Sequence, residues 1–263
     1  MSSTAIPHNT HDEPRRLAVI TAGTGNPSST RQLTDRIAQA SIDRLAAAGH
    51  AATVSVIELA PLAVDTARAA IAGFPDDELQ AAIDRLAAAD AIIAASPVYK
   101  AGISGVFKTF VDILDNDLIV AKPVLLAATG GTARHALVID DQMRPLFAYM
   151  RALTLPTSVY AAPEDWGTSE LGTRIERAAT ELAVLVRAGI EHQIADQAWS
   201  GYQHQFAGNA TRTQRTAAGI DFDSPLMRLA AGGRPAPPPR VQAGEVPGAT
   251  HGSNGHVPDD RLS

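Results

Sequence analysis

The sequence predicts an α/β protein built on a doubly wound, five-stranded parallel β-sheet flanked by helices. Five short apolar runs, rich in Ala, Val, Ile and Leu, alternate with stretches of helical periodicity between residues 17 and 198. Runs this short between helical patterns are typical of strands buried on both faces, and each intervening segment is long enough for a βαβ crossover. We expect a strand order of 2-1-3-4-5, with ligands bound at the carboxyl ends of the strands.

The predicted strands are apolar runs bounded by turn-forming residues. They cover residues 17–21, 53–57, 91–95, 123–128 and 154–160. The first runs into a loop of Gly, Thr and Ser, the third ends at Ser96-Pro97, and the fourth ends at Thr129-Gly130-Gly131. Because the carboxyl ends of parallel strands meet at one edge of a sheet, we expect these three loops to be neighbours.

The predicted helices follow the strands and carry end signals of their own. They cover residues 30–48, 76–89, 105–114, 141–151 and 169–198. Gly49 follows the first helix, where a left-handed residue is commonly needed. The second helix has Asp and Glu in its first turn, as the helix dipole favours. Residues 60–75 are predicted to be a longer connection.

The chain divides into one folded domain and flanking segments. Residues 17–200 are predicted to form the α/β domain, and residues 1–16 a disordered N-terminus. Residues 201–231 are polar with scattered apolar positions, which predicts a partly helical extension. Residues 232–263 are rich in Pro and Gly and cannot assemble a core, so we expect a disordered tail.

Composition excludes several classes of function. A net charge of −6 without any cluster of Lys or Arg argues against a nucleic-acid or acidic-membrane surface. Because the chain has no cysteine, disulfides, thiolate nucleophiles and Cys-ligated zinc or iron–sulfur centres are excluded. Redox chemistry would therefore need a bound organic cofactor. The N-terminus is unlike a signal peptide and no apolar run approaches the roughly 20 residues of a membrane span, so we expect a cytoplasmic protein.

The loop after the first strand, Gly23-Thr24-Gly25-Asn26-Pro27-Ser28, allows several interpretations. It matches the first two glycines of a dinucleotide fingerprint, with Glu58 placed as the ribose-binding acid, but Ser28 replaces the third glycine. A Walker loop is excluded because no Gly-Lys-Ser/Thr follows. Alternatively, Ser28, Ser29 and Thr30 crowd hydroxyls at a helix start, where unpaired N–H groups and the dipole favour a phosphate. Simple N-capping by Ser28 or Ser29 would produce the same pattern.

Two further loops favour a ligand that combines a phosphate with a planar ring. Pro97-Val98-Tyr99-Lys100 follows the third strand, and Thr129-Gly130-Gly131-Thr132 follows the fourth. With the first loop they would form three walls of one site at the switch point of the sheet. The ring would lie between the second and third loops, with the backbone amides of Gly130 and Gly131 donating to its oxygens.

Three segments, residues 96–108, 122–123 and 128–135, resemble the NAD(P)H-dependent FMN reductases of flavodoxin-like fold. Their sequences are Ser-Pro-Val-Tyr-Lys-Ala-Gly-Ile-Ser-Gly-Val-Phe-Lys, Lys-Pro, and Ala-Thr-Gly-Gly-Thr-Ala-Arg-His. The resemblance covers residues 17–198 and is strongest to reductases that supply reduced flavin to two-component monooxygenases, such as the alkanesulfonate system. It implies FMN as cofactor, hydride transfer from NAD(P)H to FMN, and a homodimer or homotetramer.

We expect the cofactors to bind at Ser28, Ser29, Thr30, Pro97, Val98, Tyr99, Lys100, Thr129, Gly130, Gly131, Thr132 and Arg134. The resemblance implies that Ser29 and Thr30 hold the phosphate. It also implies that Pro97, Val98 and Tyr99 flank the ring and that Thr129, Gly130 and Gly131 bind its pyrimidine side. Arg134 is a better candidate for a cofactor phosphate or carboxylate than Lys100, because an exposed lysine after a strand is usually only solvated. We expect no catalytic side chain and no metal, because the flavin carries the hydride chemistry.

Two departures from the family pattern and two other functions accompany this interpretation. The first loop lacks an arginine that is frequent near the phosphate, and Ile103 stands where some flavin-supplying members have an aromatic residue. A reductase that retains FMN and reduces quinones, azo dyes or metal ions is one alternative. A flavodoxin-like electron carrier or flavin-binding regulatory module is another, although Pro27 interrupts a flavodoxin-like phosphate loop and carriers are usually more acidic.

Overall fold

The structure, a computed structural model, describes residues 13–198. These residues belong to the first of two compact units into which the chain divides, residues 1–217. The predicted extension over 201–231 and the predicted tail over 232–263 lie outside the described residues, as do residues 1–12. The first strand begins at Arg15, so the last two residues of the predicted 1–16 segment belong to the sheet.

Seven strands form the sheet in the part of the chain that the structure describes. They are β1 (Arg15–Thr21), β2 (Ala52–Glu58), β3 (Ala91–Tyr99), β4 (Gly102–Ile103), β5 (Pro123–Thr129), β6 (Leu153–Thr154) and β7 (Val159–Ala161). The order is β2-β1-β3-β5-β6, with β7 also parallel to β5 and β4 antiparallel to β3. The fold is a flavodoxin-like α/β fold with a parallel sheet flanked by helices. The prediction of five strands in the order 2-1-3-4-5 is corrected to these seven.

Two local features produce the additional strands. After β3 the chain turns back through Lys100 and Ala101, and β4 pairs with the end of β3. The predicted fifth strand, residues 154–160, is divided into β6 and β7, with Pro156 between them. Because proline has no backbone N–H to donate, it is poorly suited to the middle of a ladder.

Residues 13–198 contain seven α-helices. They are α1 (Ser29–Ala47), α2 (Ala63–Ala72), α3 (Asp77–Ala88), α4 (Gly105–Asp112), α5 (Arg144–Tyr149), α6 (Ser169–Ala188) and α7 (Ile190–Ala198). A single π-helical turn, Ile139–Met143, runs into α5. The connection predicted over 60–75 contains α2, and left-handed Gly189 divides the helix predicted over 169–198 into α6 and α7. None of the described helices is both long and apolar enough to cross a membrane.

The central strands β1, β3 and β5 are largely buried on both faces, as their apolar runs predict. Along β1, Leu17 and Val19 belong to the core shared with α1 and α6, whereas Ala18 and Ile20 belong to the core shared with α3 and α4. This alternation follows from the two-residue period of a strand. Every residue of β5 is buried. Helices on both faces leave the carboxyl edge of the sheet to the loops, which is where a ligand can enter.

Candidate active site

A cleft of about 490 Å³ lies at the carboxyl ends of β1, β3, β5 and β7. It is lined by Gly23, Thr24, Gly25, Pro27, Ser28, Ser29, Thr30, Pro97, Val98, Tyr99, Thr129, Gly130, Gly131, Ala161, Pro163 and Trp166. Its volume falls within the roughly 300–1,000 Å³ typical of small-molecule sites. It includes the switch point between β1 and β3, where the connections leave the sheet in opposite directions.

The structure brings most of the predicted binding residues together in this cleft. Those that line it are Ser28, Ser29, Thr30, Pro97, Val98, Tyr99, Thr129, Gly130 and Gly131. Lys100, Thr132 and Arg134 are not among the lining residues. Lys100 lies in the turn between β3 and β4, and the other two follow the glycine pair after β5. Contacts of these three residues with FMN or NAD(P)H remain predictions.

The loop after β7 adds a fourth wall that the sequence interpretation did not assign. Pro163 and Trp166 line the cleft from this loop, together with Ala161 at the end of β7. The signal for it was the same as for the other three walls, because this loop also follows the carboxyl end of a parallel strand. The glycines and Thr24 of the first loop line the cleft as well.

Helix α1 begins beside the cleft and leaves backbone donors there. Ser28 is its N-cap, with an extended backbone and a hydroxyl that accepts a hydrogen bond from the Arg31 amide at 3.2 Å. The amides of Ser29 and Thr30 have no acceptor within the helix, and both residues line the cleft. The first turn carries no acidic side chain. Capping by Ser28 is thus compatible with anion binding at the same helix start.

The guanidinium of Arg31 is held on the β2 side of this helix start. Its Nε donates to Asp35 Oδ1 at 2.7 Å, and its Nη1 pairs with Glu58. The hydrogen bond to Asp35 is the main cause that raises the pKa of Arg31, and Glu58 adds to it. Glu58, the acid that the dinucleotide interpretation would place on a ribose, is therefore paired with an arginine and does not line the cleft.

Hydroxyl pairs join the walls of the cleft. Thr30 Oγ1 and Thr129 Oγ1 are 2.7 Å apart in a buried hydrogen bond between the first turn of α1 and the end of β5. Thr24 Oγ1 and the Tyr99 hydroxyl are 3.0 Å apart, which links the loop after β1 to the end of β3. Through these two bonds the three predicted walls form one connected structure.

Tyr160 of β7 fixes the glycine pair after β5. Its hydroxyl donates to the Thr132 carbonyl at 2.6 Å. Burial raises the pKa of Tyr160, and the negative charges of Asp165 and Glu164 raise it further, so the hydroxyl remains a donor at neutral pH. The Gly130 amide donates to the Ala161 carbonyl at 3.2 Å. Of the two amides predicted to donate to a ring, the one at Gly130 is already used within the protein.

Two glycines are required by close approaches of hydroxyl groups. A Cβ on Gly23 would lie 1.9 Å from Oγ of Ser28, so the N-cap of α1 needs a glycine at that position. A Cβ on Gly130 would lie 2.2 Å from the Tyr160 hydroxyl. A Cβ on Gly131 would meet nothing within 4 Å. The glycine pair thus serves two purposes, since Gly130 admits the tyrosine and Gly131 leaves open space beside the cleft.

The hairpin between β3 and β4 carries Tyr99 and is held by a side chain from the π-helical turn. Lys100 and Ala101 have positive φ angles of 51° and 61°, a left-handed conformation that costs free energy in residues with a Cβ. Gln142 Oε1 accepts from the Ile103 amide at 3.0 Å, and its Nε2 donates to the Ala101 carbonyl at 3.4 Å. Single π-helical turns are frequent at functional sites, and this one positions Gln142.

Comparisons with known proteins agree with this geometry. Residues 15–167 match the family described as NADPH-dependent FMN reductase. The chain is similar to FMN reductase (NADPH) of Pseudomonas aeruginosa, with 37% identity over 179 residues, which is 65% of this chain and 92% of that protein. It is equally similar to the NADH-dependent FMN reductase SfnF of Pseudomonas fluorescens, with 37% identity over 177 residues and the same coverage. An X-ray structure of an oxidoreductase from Corynebacterium diphtheriae has a TM-score of 0.65 and 46% identity, and the match covers 66% of this chain and 98% of that one.

Proposed function

The chain belongs to the NADPH-dependent FMN reductase family, and on that premise we propose that FMN binds in the cleft and leaves it, once reduced, for a partner monooxygenase. The protein is an NAD(P)H-dependent FMN reductase, an oxidoreductase that uses NAD(P)H and FMN. The observation that carries the assignment of the cleft is the start of α1, where two amides without an intrahelical acceptor belong to residues that line the cleft.

The FMN phosphate fits the start of α1. Ser29 and Thr30 offer backbone amides and hydroxyls there, and the positive end of the helix dipole favours an anion. The absence of an acidic residue in the first turn removes a source of repulsion. Thr30 is also fixed by its hydrogen bond to Thr129. These residues can hold a monophosphate without a lysine or arginine.

The flavin ring fits the opposite part of the cleft. Pro97, Val98 and Tyr99 give this wall apolar and aromatic surface, which suits a planar ring. The loop after β5 would contact the other side of the ring. Because the Gly130 amide already donates to the Ala161 carbonyl, the Gly131 amide is the one that would donate to a ring oxygen. Tyr160 holds that loop in place through the Thr132 carbonyl. A fixed donor beside the ring would stabilise negative charge that develops on it.

The cofactor and the protein contribute different parts of the reaction. FMN, when bound, supplies the group that accepts a hydride from NAD(P)H. The residues of the cleft bind and orient the two partners, which lowers the entropic part of the barrier. No side chain is required as a general acid or base in this scheme.

Release of reduced FMN to a monooxygenase is supported by the resemblance described above and by the exposure of the ring wall. Tyr99 is 49% exposed, so the wall assigned to the ring is open to solvent. An exposed wall favours exchange of the flavin over permanent retention. Under this proposal, oxidation of NADPH should depend on free FMN as a saturable substrate. Purification with stoichiometric FMN that does not exchange would contradict it and would favour a reductase that retains its flavin.

The phosphate assignment is tested by replacing Ser29 with Ala. Loss of a hydrogen bond to a charged phosphate should raise KM for FMN about tenfold, the equivalent of about 1.4 kcal/mol. KM for riboflavin, which has no phosphate, should stay within about twofold. Anaerobic NADPH oxidation with each flavin gives both constants. Ser169→Ala is the matched control, because Ser169 occupies the same first position in α6 and does not line the cleft. Equal effects on FMN and riboflavin would refute the assignment.

A further inference from the structure

The fourth wall of the cleft presents an aromatic ring paired with a cation. Trp166 lines the cleft and packs against the core shared with α1 and α6. The guanidinium carbon of Arg36, on α1, lies over the Trp166 ring, 5.8 Å from its centroid. This distance is within the range of a cation–π interaction. The wall therefore combines a flat apolar surface with a positive charge.

The three arginines of α1 differ in what holds their charges. Arg31 is paired with two carboxylates, and Arg44 donates to Glu176 Oε2 at 2.6 Å. Within residues 13–198, Arg36 has no carboxylate within ion-pair distance. Its charge is held only against the face of an aromatic ring, and the residue is exposed. An anionic ligand can therefore pair with Arg36 without displacing a carboxylate.

Arg36 lies on the same side of α1 as the proposed phosphate site. It follows Ser29 by seven residues, a spacing that returns to the same helix face, and the separation along the axis is about 10 Å at 1.5 Å per residue. Side chains of a helix lean toward its N-terminus, which brings the guanidinium back toward Ser29. Trp166, which lines the cleft, lies beside it.

We propose that Arg36 and Trp166 form a subsite, beyond the FMN phosphate, for the adenosine monophosphate part of a dinucleotide. A guanidinium binds phosphate through charge-assisted hydrogen bonds, and an indole ring provides a stacking surface for a base. Two substrates carry this group, namely FAD as an alternative flavin and NAD(P)H as the hydride donor. The proposal rests on the function proposed for the cleft, because it requires the FMN phosphate to bind at Ser29.

The test compares Arg36→Gln with the wild-type full chain. Gln keeps most of the side-chain length and removes the charge, and an exposed position tolerates it. Arg44→Gln is the matched control, because it removes the same charge from the same helix at a residue paired with Glu176. KM is measured for FAD, FMN, NADPH and NADH. We expect Arg36→Gln to raise KM about tenfold for the dinucleotide that uses the subsite, with KM for FMN and all constants of Arg44→Gln within about twofold.

Binding of AMP alone provides a readout that does not depend on turnover. The chain has two tryptophans, so Trp166 is the only one in a Trp199→Phe variant and its fluorescence reports on this wall. AMP should quench that fluorescence in a saturable way. Adding Arg36→Gln should weaken the AMP affinity about tenfold, and adding Arg44→Gln should not change it.

The outcomes show whether the subsite binds FAD or NAD(P)H. A rise in KM for FAD alone assigns the subsite to the flavin dinucleotide, and a rise for NADPH and NADH alone assigns it to the nicotinamide dinucleotide. Unchanged constants for every dinucleotide, or AMP binding that is insensitive to Arg36→Gln, would overturn the proposal. Failure of the Ser29→Ala test with a positive AMP titration would instead contradict the function proposed for the helix start.

Discussion

The two ends of the sheet use polar residues in opposite ways. At the amino ends of β3 and β5, Lys122 is 1% exposed and its Nζ donates to the Ala89 carbonyl and to Glu191 Oε1, the latter at 2.8 Å. At the carboxyl ends, hydroxyls pair with hydroxyls around an open cleft, as Thr30 does with Thr129. One end encloses a full charge pair, and the other pairs neutral hydroxyl groups in the walls of the cleft.

This difference separates stability from binding. Glu191 belongs to α7, so the buried pair fixes the last described helix to the beginning of β5. An enclosed ion pair is expensive to break because the remaining charge is left without compensation. The hydroxyl pairs are individually weaker, but they determine where the loops of the cleft lie. Substitutions at the amino end should therefore lower the free energy of unfolding, and substitutions at the carboxyl end should change KM.

The largest expected effect is the loss of the buried pair in Lys122→Ala. Removing the Lys122 ammonium from its buried pair with Glu191 should lower the free energy of unfolding by about 3–5 kcal/mol, measured by urea unfolding. KM for FMN should not change, because the cleft is at the other end of the sheet. A double variant, Lys122→Met with Glu191→Leu, should recover most of the stability because no lone charge remains. A single variant within about 1 kcal/mol of wild type would show that this pair does not hold α7.

The next effect concerns the glycine pair at the carboxyl end. Gly130→Ala places a methyl group 2.2 Å from the Tyr160 hydroxyl, so the loop or the tyrosine must move, and KM for FMN should rise about tenfold. Removing the hydroxyl in a Gly130→Ala, Tyr160→Phe double variant should recover part of that loss. Gly131→Ala should leave the melting temperature unchanged, because its Cβ meets nothing within 4 Å. Equal melting temperatures and equal KM values for the two single variants would contradict the role assigned to Tyr160.

The parts of the fold that sequence reasoning predicted are those with strong local signals. The apolar run at residues 123–128 became β5, buried throughout, and the helix predicted over 76–89 became α3 with Asp76 as its N-cap. Helix α2 was missed because it begins after Leu62 without a side-chain cap. The hairpin between β3 and β4 turns at Lys100 and Ala101, which have positive φ angles. Their residue types do not predict such a turn, because positive φ in hairpins is usually associated with Gly or Asn.

The cleft could be predicted as far as the topology of the sheet determines it. The rule that ligands lie at the carboxyl ends of strands brought three loops together, and the structure joins them through Thr24 with Tyr99 and Thr30 with Thr129. Trp166 and Gln142 could not be assigned in the same way. Their roles depend on contacts between segments that are far apart in the chain, and such contacts are set by tertiary packing.

The smallest expected effect is at Gln142, which holds the hairpin that carries Tyr99. Gln142→Ala removes the acceptor of the Ile103 amide and the donor to the Ala101 carbonyl. Because these bonds are exposed, their loss should cost about 0.5–1 kcal/mol and speed FMN release about two- to fivefold, measured by stopped-flow fluorescence. Ala101→Gly should act in the opposite direction, since glycine adopts a positive φ without strain.

Gln80→Ala is the control, because Gln80 also donates an exposed side-chain hydrogen bond, to Asp84 on α3, away from the cleft. If the Gln142 and Gln80 variants release FMN at the same rate, the hairpin does not control the exposed wall, and release must depend on the phosphate end of the cleft.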